Sequence, residues 1–214
     1  SCALRSDVST VDAVVMGQPV TYRLGSPGKH IVLNSLAVLA AVKAVGADIA
    51  LAALALGDLR PPAGRGAQQR LEAPGGAFTL IDESYNGNPA SVKAAIENLG
   101  RIPVAGRGRR IAVLGDMLEL GPTGPELHKG LGPAITANGI DSVFACGPLM
   151  RGLYDSLPST LRGAYAAQAS GLEALVLDAV RAGDVVMVKG SLGSRMGPIV
   201  KALTARFPAS SAED

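Results

Sequence analysis

Three short polar segments carry the residues of this chain that are best suited to chemistry. They are Asp82-Glu83-Ser84-Tyr85-Asn86-Gly87-Asn88-Pro89, Gly115-Asp116-Met117-Leu118-Glu119-Leu120-Gly121 and Lys189-Gly190-Ser191-Leu192-Gly193-Ser194-Arg195-Met196. Each segment directly follows a short apolar run of the kind that forms a buried strand. Turn formation alone explains one such segment, but three in equivalent positions indicate a binding site.

The side chains in these segments suggest different tasks. Glu83 offers a carboxylate that can accept hydrogen bonds from ribose hydroxyls, although a solvated surface acid is the alternative. Asn88 precedes a proline and is expected to cap the helix that begins there. Lys189, with the glycines after it, offers a cation and close backbone approach to a phosphate or carboxylate; the alternative is a glycine-rich turn with an exposed lysine.

The elements that must position these segments follow from the alternation of apolar runs and helical periodicity. The pattern predicts strands at 77–82, 111–115, 142–146, 163–166 and 184–188, and helices at 89–99, 125–138, 149–157, 171–182 and 194–205. Because the strands are apolar on both faces, helices should cover both sides of an open, doubly wound, mostly parallel sheet. In such folds, ligands bind at the carboxyl ends of the strands.

The first third of the chain follows a different pattern. It predicts strands at 13–16 and 19–22, without obvious partners, followed by helices at 29–45 and 48–57 with Asp48 as an N-cap. Two prolines and two glycines predict a loop over 60–66. We therefore expect two domains, 1–74 and 75–214.

Composition excludes several classes of function. The formal net charge is +2 and the basic residues are scattered apart from Arg107, Arg109 and Arg110, so we expect no nucleic-acid partner. His30 and His128 lack acidic or cysteine partners at ligand spacing, so no zinc site is expected. The longest apolar stretch, 31–45, is interrupted by polar residues, which predicts a cytoplasmic protein without membrane insertion.

Five segments together resemble one known family. They are Gly28-Lys29-His30-Ile31-Val32-Leu33-Asn34-Ser35-Leu36-Ala37, Gly64-Arg65, the segments 82–89 and 115–121, and Lys189-Gly190-Ser191 with Arg195-Met196. In this order they are similar to the motifs of the Mur ligases. The resemblance is strongest to the branch that joins D-alanyl-D-alanine to UDP-N-acetylmuramoyl-tripeptide.

The resemblance implies a fold, a reaction and a set of site residues. Residues 1–74 would be the C-terminal remnant of a central ATPase domain, and residues 75–214 a Rossmann-like C-terminal domain. A monomeric enzyme would use ATP and Mg²⁺, with the main Mg²⁺ ligands upstream, and would proceed through an acyl phosphate. The resemblance assigns Asn34 to adenine, Arg65 to the phosphates and to catalysis, and Glu83 to the ribose. Residues for the dipeptide would be Tyr85, Asn86, Asn88, Asp116 and Lys189.

The chain also departs from the family pattern. Ile31, Glu83, Gly87 and Leu192 stand where asparagine, aspartate, alanine and arginine are usual. The family's phosphate loop is missing, so we expect the chain alone to be inactive as a ligase. The alternative function is a stand-alone nucleotide- or dipeptide-binding module without catalysis. A sister ligase that adds a single amino acid is disfavoured, because its D-N-P-R signature is not found.

Overall fold

A computed structural model describes residues 1–4, 9–26, 28–59 and 64–210, and the chain divides into two compact units, Ser1–Pro61 and Pro62–Asp214. The division falls before the expected boundary at 74/75. Residues 60–63 of the expected loop, and the side chain of His30, lie outside the described part.

The first unit is a small antiparallel sheet with two helices. Its elements are β1 (Cys2–Leu4), β2 (Ser9–Val15), β3 (Gln18–Leu24), α1 (Lys29–Ala44) and α2 (Ile49–Ala55). The two strands expected without partners pair with each other, since Met16 and Gly17 both have positive φ (48° and 80°) and join them in a tight hairpin. The side chain of Asp48 accepts backbone N–H bonds at the start of α2, which confirms the expected N-cap.

The second unit carries the larger sheet. Its elements are β4 (Ala67–Ala73), β5 (Gly76–Glu83), α3 (Pro89–Arg101), β6 (Arg110–Gly115), α4 (Gly124–Lys129), α5 (Gly132–Ala137), β7 (Ser142–Cys146), α6 (Met150–Ser156), β8 (Arg162–Ala166), α7 (Ala169–Ala179), β9 (Val185–Lys189) and α8 (Gly197–Arg206). Within the described residues the strand order is β4-β5-β9-β6-β7-β8, with only β4 antiparallel to its neighbour. This confirms the mostly parallel sheet.

Helices cover both faces of this sheet, because successive strand residues point to opposite sides. In β6, Ile111 and Val113 pack with α7 and α8, while Ala112 and Leu114 pack with α3, α5 and α6. The continuous apolar run of β6 is thus buried on both sides, and the doubly wound architecture is confirmed.

Two features of the second unit differ from expectation. No strand was expected where β4 lies, since it is polar and buries only Leu71 and Ala73 as the edge strand beside β5. The single helix expected over 125–138 is divided into α4 and α5, because Gly130 ends the first helix and Pro133 lacks the N–H needed to continue it. No described helix combines the length and apolarity needed to cross a membrane.

Candidate functional site

The three polar segments lie along one edge of the larger sheet. Strands β5, β9 and β6 are adjacent and parallel, so their carboxyl ends at Glu83, Lys189 and Gly115 face the same side. We call segments 82–89, 115–121 and 189–196 together the rim. Asn34 belongs to the first unit, where it is exposed on α1.

Asp82 attaches the Gly64-Arg65 loop to the rim. Its carboxylate, which is 9% exposed, accepts the Gly64 N–H at 2.9 Å through one oxygen. The other oxygen accepts the backbone N–H and the hydroxyl of Ser84, at 3.1 and 2.6 Å. The Tyr85 N–H in turn donates to the Gly64 carbonyl at 3.1 Å. A Cβ at Gly64 would lie 2.7 Å from that of Tyr85, so this close approach requires glycine.

Arg65 stacks on Tyr85. The guanidinium carbon lies 4.6 Å from the ring centroid, and both residues are exposed. Stacking orients the plane of the guanidinium while its N–H edge stays available, which suits bidentate recognition of a phosphate or carboxylate. Two site residues expected from sequence are therefore in direct contact.

Lys189 is buried, and the alternative of an exposed lysine is wrong. Its side chain is 3% exposed, and its ammonium donates to Glu83 Oε2 and to the Asn86 carbonyl, both at 3.0 Å. Glu83 is 19% exposed and also lies beside the Gly64-Arg65 loop, with Oε1 close to Gly66. Lys189 thus neutralises Glu83 and holds the 82–89 segment in place.

Ser191 joins all three segments of the rim. Its hydroxyl donates to the Gly87 carbonyl and accepts the Leu118 N–H, each at 2.9 Å, while its N–H donates to the Asp116 carbonyl at 3.0 Å. Ser191, Ser84 and Asp82 were missed as positioning residues. Only the Asp82–Ser84 contact had a local sequence signal, since aspartate commonly bonds to the residue two positions later.

Asp116 and His128 fix the second segment of the rim. The buried Asp116 carboxylate accepts the N–H groups of Leu149 and Met150, at 3.2 and 2.8 Å. His128 is fully buried, with Nε2 accepting the Met117 N–H at 2.8 Å and Nδ1 2.6 Å from the Gly124 carbonyl. A neutral ring with its proton on Nδ1 satisfies both contacts.

Asn86 and Asn88 shape the turn before α3. Asn88 accepts the Ser91 N–H at 2.8 Å while Ser91 accepts the Asn88 N–H, which is the capping box and confirms the expected cap. Asn86 Oδ1 accepts the N–H of Gly87 at 2.8 Å. Both asparagines are exposed.

Two further residues with charged or reactive side chains, Arg109 and Cys146, have environments that suit a structural role. Arg109 of the basic cluster pairs with the buried Asp184 at 2.7 Å, away from the rim. Burial, with a smaller contribution from Asp116, raises the pKa of the Cys146 thiol to about 12. Because the reactive form of cysteine is the thiolate, Cys146 is unsuited to nucleophilic catalysis at neutral pH.

The rim and the Gly64-Arg65 loop attached to it have groups that fit a nucleotide, and the described residues include no cluster that could hold a metal ion. Arg65 presents an exposed guanidinium to an anion, and Glu83 presents a carboxylate oxygen to hydroxyl donors. Within residues 1–4, 9–26, 28–59 and 64–210, no three histidine, cysteine or acidic side chains lie together so that they could hold a metal ion.

Comparison with known proteins agrees with the motifs. The sequence profile described as "Mur ligase, glutamate ligase domain" matches residues 68–192. The UDP-N-acetylmuramoyl-tripeptide--D-alanyl-D-alanine ligase of Bacillus subtilis is 32% identical over 193 residues, which are 88% of this chain and 41% of that protein. The Escherichia coli protein of the same name is 33% identical over 178 residues, 83% of this chain and 37% of that protein.

Solved structures with a similar fold carry related names. MurF from Acinetobacter baumannii has a TM-score of 0.79 at 23% identity, over 96% of this chain and 44% of that one. The MurF ligase of Thermotoga maritima, in complex with ADP, has a TM-score of 0.74 at 23% identity, over 96% and 45%. This chain spans about two fifths of the length of the curated relatives it matches. Since the profile covers more than half of its residues, the chain belongs to the Mur ligase family.

Proposed function

We propose that this chain is the C-terminal part of an ATP-dependent ligase that joins D-alanyl-D-alanine to UDP-N-acetylmuramoyl-tripeptide. The observation that carries the proposal is the attachment of the Gly64-Arg65 loop to the rim, where Arg65 stacks on Tyr85. The names of relatives that are about one third identical over most of the chain support the choice of substrates. In this proposal Ser1–Pro61 belongs to the central ATPase domain and Pro62–Asp214 is the C-terminal domain.

In the proposed reaction, the γ-phosphoryl group of ATP passes to the tripeptide carboxylate, and the dipeptide amine then displaces phosphate from the acyl phosphate. Arg65 stabilises negative charge on the transferred group, a role for which a planar, permanently charged donor is suited. Glu83, fixed by Lys189, accepts hydrogen bonds from the ribose. Asn34 binds the adenine.

The remaining rim residues bind the dipeptide or support the residues that do. Tyr85 orients Arg65, and the exposed Asn86 and Asn88 are available to a ligand through their side-chain NH₂ groups. Asp116 and Lys189 act through the backbone and side chains that they hold. Exclusion of water around the acyl phosphate protects it from hydrolysis.

The proposed substrates indicate the cellular compartment in which the enzyme acts. ATP and a UDP-linked peptide are cytoplasmic metabolites, so we place the enzyme in the cytoplasm, where it acts as a monomer. Mg²⁺ is bound mainly by residues outside this chain. The 214-residue chain alone is therefore expected to have no ligase activity.

The test is D-alanyl-D-alanine-dependent phosphate release by the complete protein that carries this sequence. Arg65→Ala should lower kcat by about 10²- to 10³-fold, as loss of a transition-state donor does. Arg65→Lys should recover only part of the rate, because lysine lacks the planar fork. Arg70→Ala, which removes an exposed cation from β4 away from the rim, is the control.

Two results would overturn the proposal. Phosphate release that does not depend on the dipeptide would exclude the ligase, and an Arg65→Ala variant as active as Arg70→Ala would exclude the role of Arg65. Ligation by the 214-residue chain itself would contradict the expected inactivity of the fragment.

A further inference from the structure

A short segment after α8 lies along the outer edge of the larger sheet. Strand β4 pairs with β5 on one side, and on its other side Leu71 forms an antiparallel bridge with Ala209. We call residues 208–210 the strap, because they cover an edge that would otherwise offer its backbone groups to another strand. Strand β4 and the strap both belong to the second compact unit.

Backbone hydrogen bonds attach the strap to alternate residues of β4. The Glu72 N–H donates to the Pro208 carbonyl at 2.8 Å. The Ser210 N–H donates to the Arg70 carbonyl at the same distance, 2.8 Å. The Ser210 hydroxyl also donates to the Glu72 carboxylate. These bonds follow the pattern of an antiparallel ladder, so the strap takes the place of a further strand.

The buried anchor of this segment lies before the strap rather than within it. Phe207 is buried, and its ring packs edge-on against that of Phe78 with the centroids 5.2 Å apart. Pro208 and Ala209 are exposed, and Ser210 is only partly buried. The strap therefore covers β4 mainly through backbone pairing, which another extended strand can supply equally well.

Strand β4 is complementary to itself at the register that the strap uses. If a second copy of β4 lay antiparallel to it with the two Leu71 residues opposite each other, Arg70 of each copy would lie opposite Glu72 of the other. The Glu72 N–H and the Arg70 carbonyl, which bond to the strap, would then bond to each other across the two copies. Both side chains are exposed, and opposite charges in directly opposed positions stabilise an antiparallel pair.

We propose that the outer edge of β4 is a binding surface for a second copy of this chain, and that the strap occupies this edge in the intact chain. When the strap is removed, two β4 strands pair about a two-fold axis and the two sheets become continuous. Such an interface is isologous, because the same residues contribute from both copies. The inference concerns association of the chain and does not depend on the ligase reaction.

Sedimentation equilibrium of two shortened chains tests the role of the strap. The chain 1–207 lacks the strap but keeps the buried Phe207, and its apparent mass should rise towards that of a dimer with increasing concentration. The chain 1–210 is the matched control, because it keeps the strap and should stay monomeric. In the full 214-residue chain, Ser210→Pro removes the N–H that donates to Arg70, so it should shift the mass in the same direction as removal of the strap.

Hydrogen exchange locates the contact. In the chain 1–207 the Glu72 amide should exchange faster than in 1–210 at low concentration, because its acceptor on Pro208 is gone. The protection should return at high concentration, when the second copy supplies the Arg70 carbonyl. A Glu72 amide that is equally protected in both chains at low concentration would contradict the role of the strap.

Charge reversal tests the register of the pairing. In the chain 1–207, Arg70→Glu places like charges opposite each other at both symmetric positions, so the dimer Kd should rise at least about tenfold. Adding Glu72→Arg exchanges the two charges and should restore the dimer, which also shows that the single variant is folded. A chain 1–207 that stays as monomeric as 1–210, or a dimer whose Kd is unchanged by Arg70→Glu, would overturn the proposal.

Discussion

At the scale of single residues, the ion pair between Lys189 and Glu83 has a large energetic consequence. Both charges are mostly removed from water, which is unfavourable unless each finds a partner. The ammonium finds two, the Glu83 carboxylate and the Asn86 carbonyl, at 3.0 Å each. Removing one member of such a pair leaves the other buried and uncompensated.

Lys189→Met should therefore destabilise the second unit by about 3–5 kcal/mol, the usual cost of breaking a buried pair from one side. The double variant Lys189→Met with Glu83→Gln should be more stable than Lys189→Met alone, because no unpaired charge remains. Urea denaturation followed by circular dichroism measures both. Lys201→Met is the matched control on an exposed lysine, and a Lys189→Met variant as stable as this control would contradict the expectation.

How well the sequence predicts a residue's role depends on how far away its partner lies. Asn88 was expected to be a cap and is one, because its partner Ser91 is three residues away. Lys189 was expected to offer a point charge to a ligand, yet its partner Glu83 lies 106 residues away. No local pattern indicates a contact of that separation, so the identity of the rim residues was predictable and their mutual pairing was not.

At the scale of elements, the rim consists of three loops that are held together by side-chain hydrogen bonds rather than by the backbone ladder of a β-sheet. Strands β5, β9 and β6 bring the loops together, and Ser191 connects each loop to the other two. The Gly87 carbonyl and the Leu118 N–H both hydrogen-bond to the Ser191 hydroxyl, so a single oxygen atom couples segments that lie far apart in sequence. The loops are thus expected to lose order together.

Ser191→Ala should cost about 1–3 kcal/mol, because it leaves the partly buried Leu118 N–H without its acceptor. It should also speed hydrogen exchange at the Leu118 amide more than at amides of β6. Ser194→Ala is the control, since among the described residues the Ser194 hydroxyl donates only to the carbonyl of Ser191. Mass-spectrometric hydrogen exchange that shows equal protection of Leu118 in both variants would refute the coupling.

The elements that the sequence predicted are those with strong apolar periodicity. Strand β7, Ser142–Cys146, has the expected bounds because it is buried on both faces. Strand β4 was missed because only Leu71 and Ala73 of its seven residues are buried, and its polar remainder has the composition of a loop. Edge strands depend on pairing with a neighbour, which the sequence does not display.

At the scale of the whole molecule, two compact units have separate hydrophobic cores. The first is centred on residues such as Leu24 and Leu39, and the second has one apolar cluster on each face of its sheet. The fold class was predictable from alternating strands and helices. The boundary at 74/75 stays a prediction, and the division at 61/62 differs from it by placing β4 in the second unit.

The division between Pro61 and Pro62 predicts that chains truncated at 62 and at 75 differ in stability. The chain 62–214 retains β4, so it should unfold in one cooperative transition. The chain 75–214, which begins at the boundary expected from sequence, loses the burial of Leu71 and exposes the backbone edge of β5. Loss of one buried leucine side chain typically costs about 2–5 kcal/mol, and an unpaired strand edge promotes aggregation.

Thermal unfolding and size-exclusion chromatography distinguish the two truncated chains. The longer one should be monomeric with a clear transition, whereas the shorter one should have a lower Tm or aggregate. Gln69→Ala in the longer chain changes an exposed β4 side chain and should leave its Tm unchanged. If 75–214 were as stable as 62–214, then β4 would contribute nothing to the second unit, and the boundary at 74/75 would describe the molecule better than the one at 61/62.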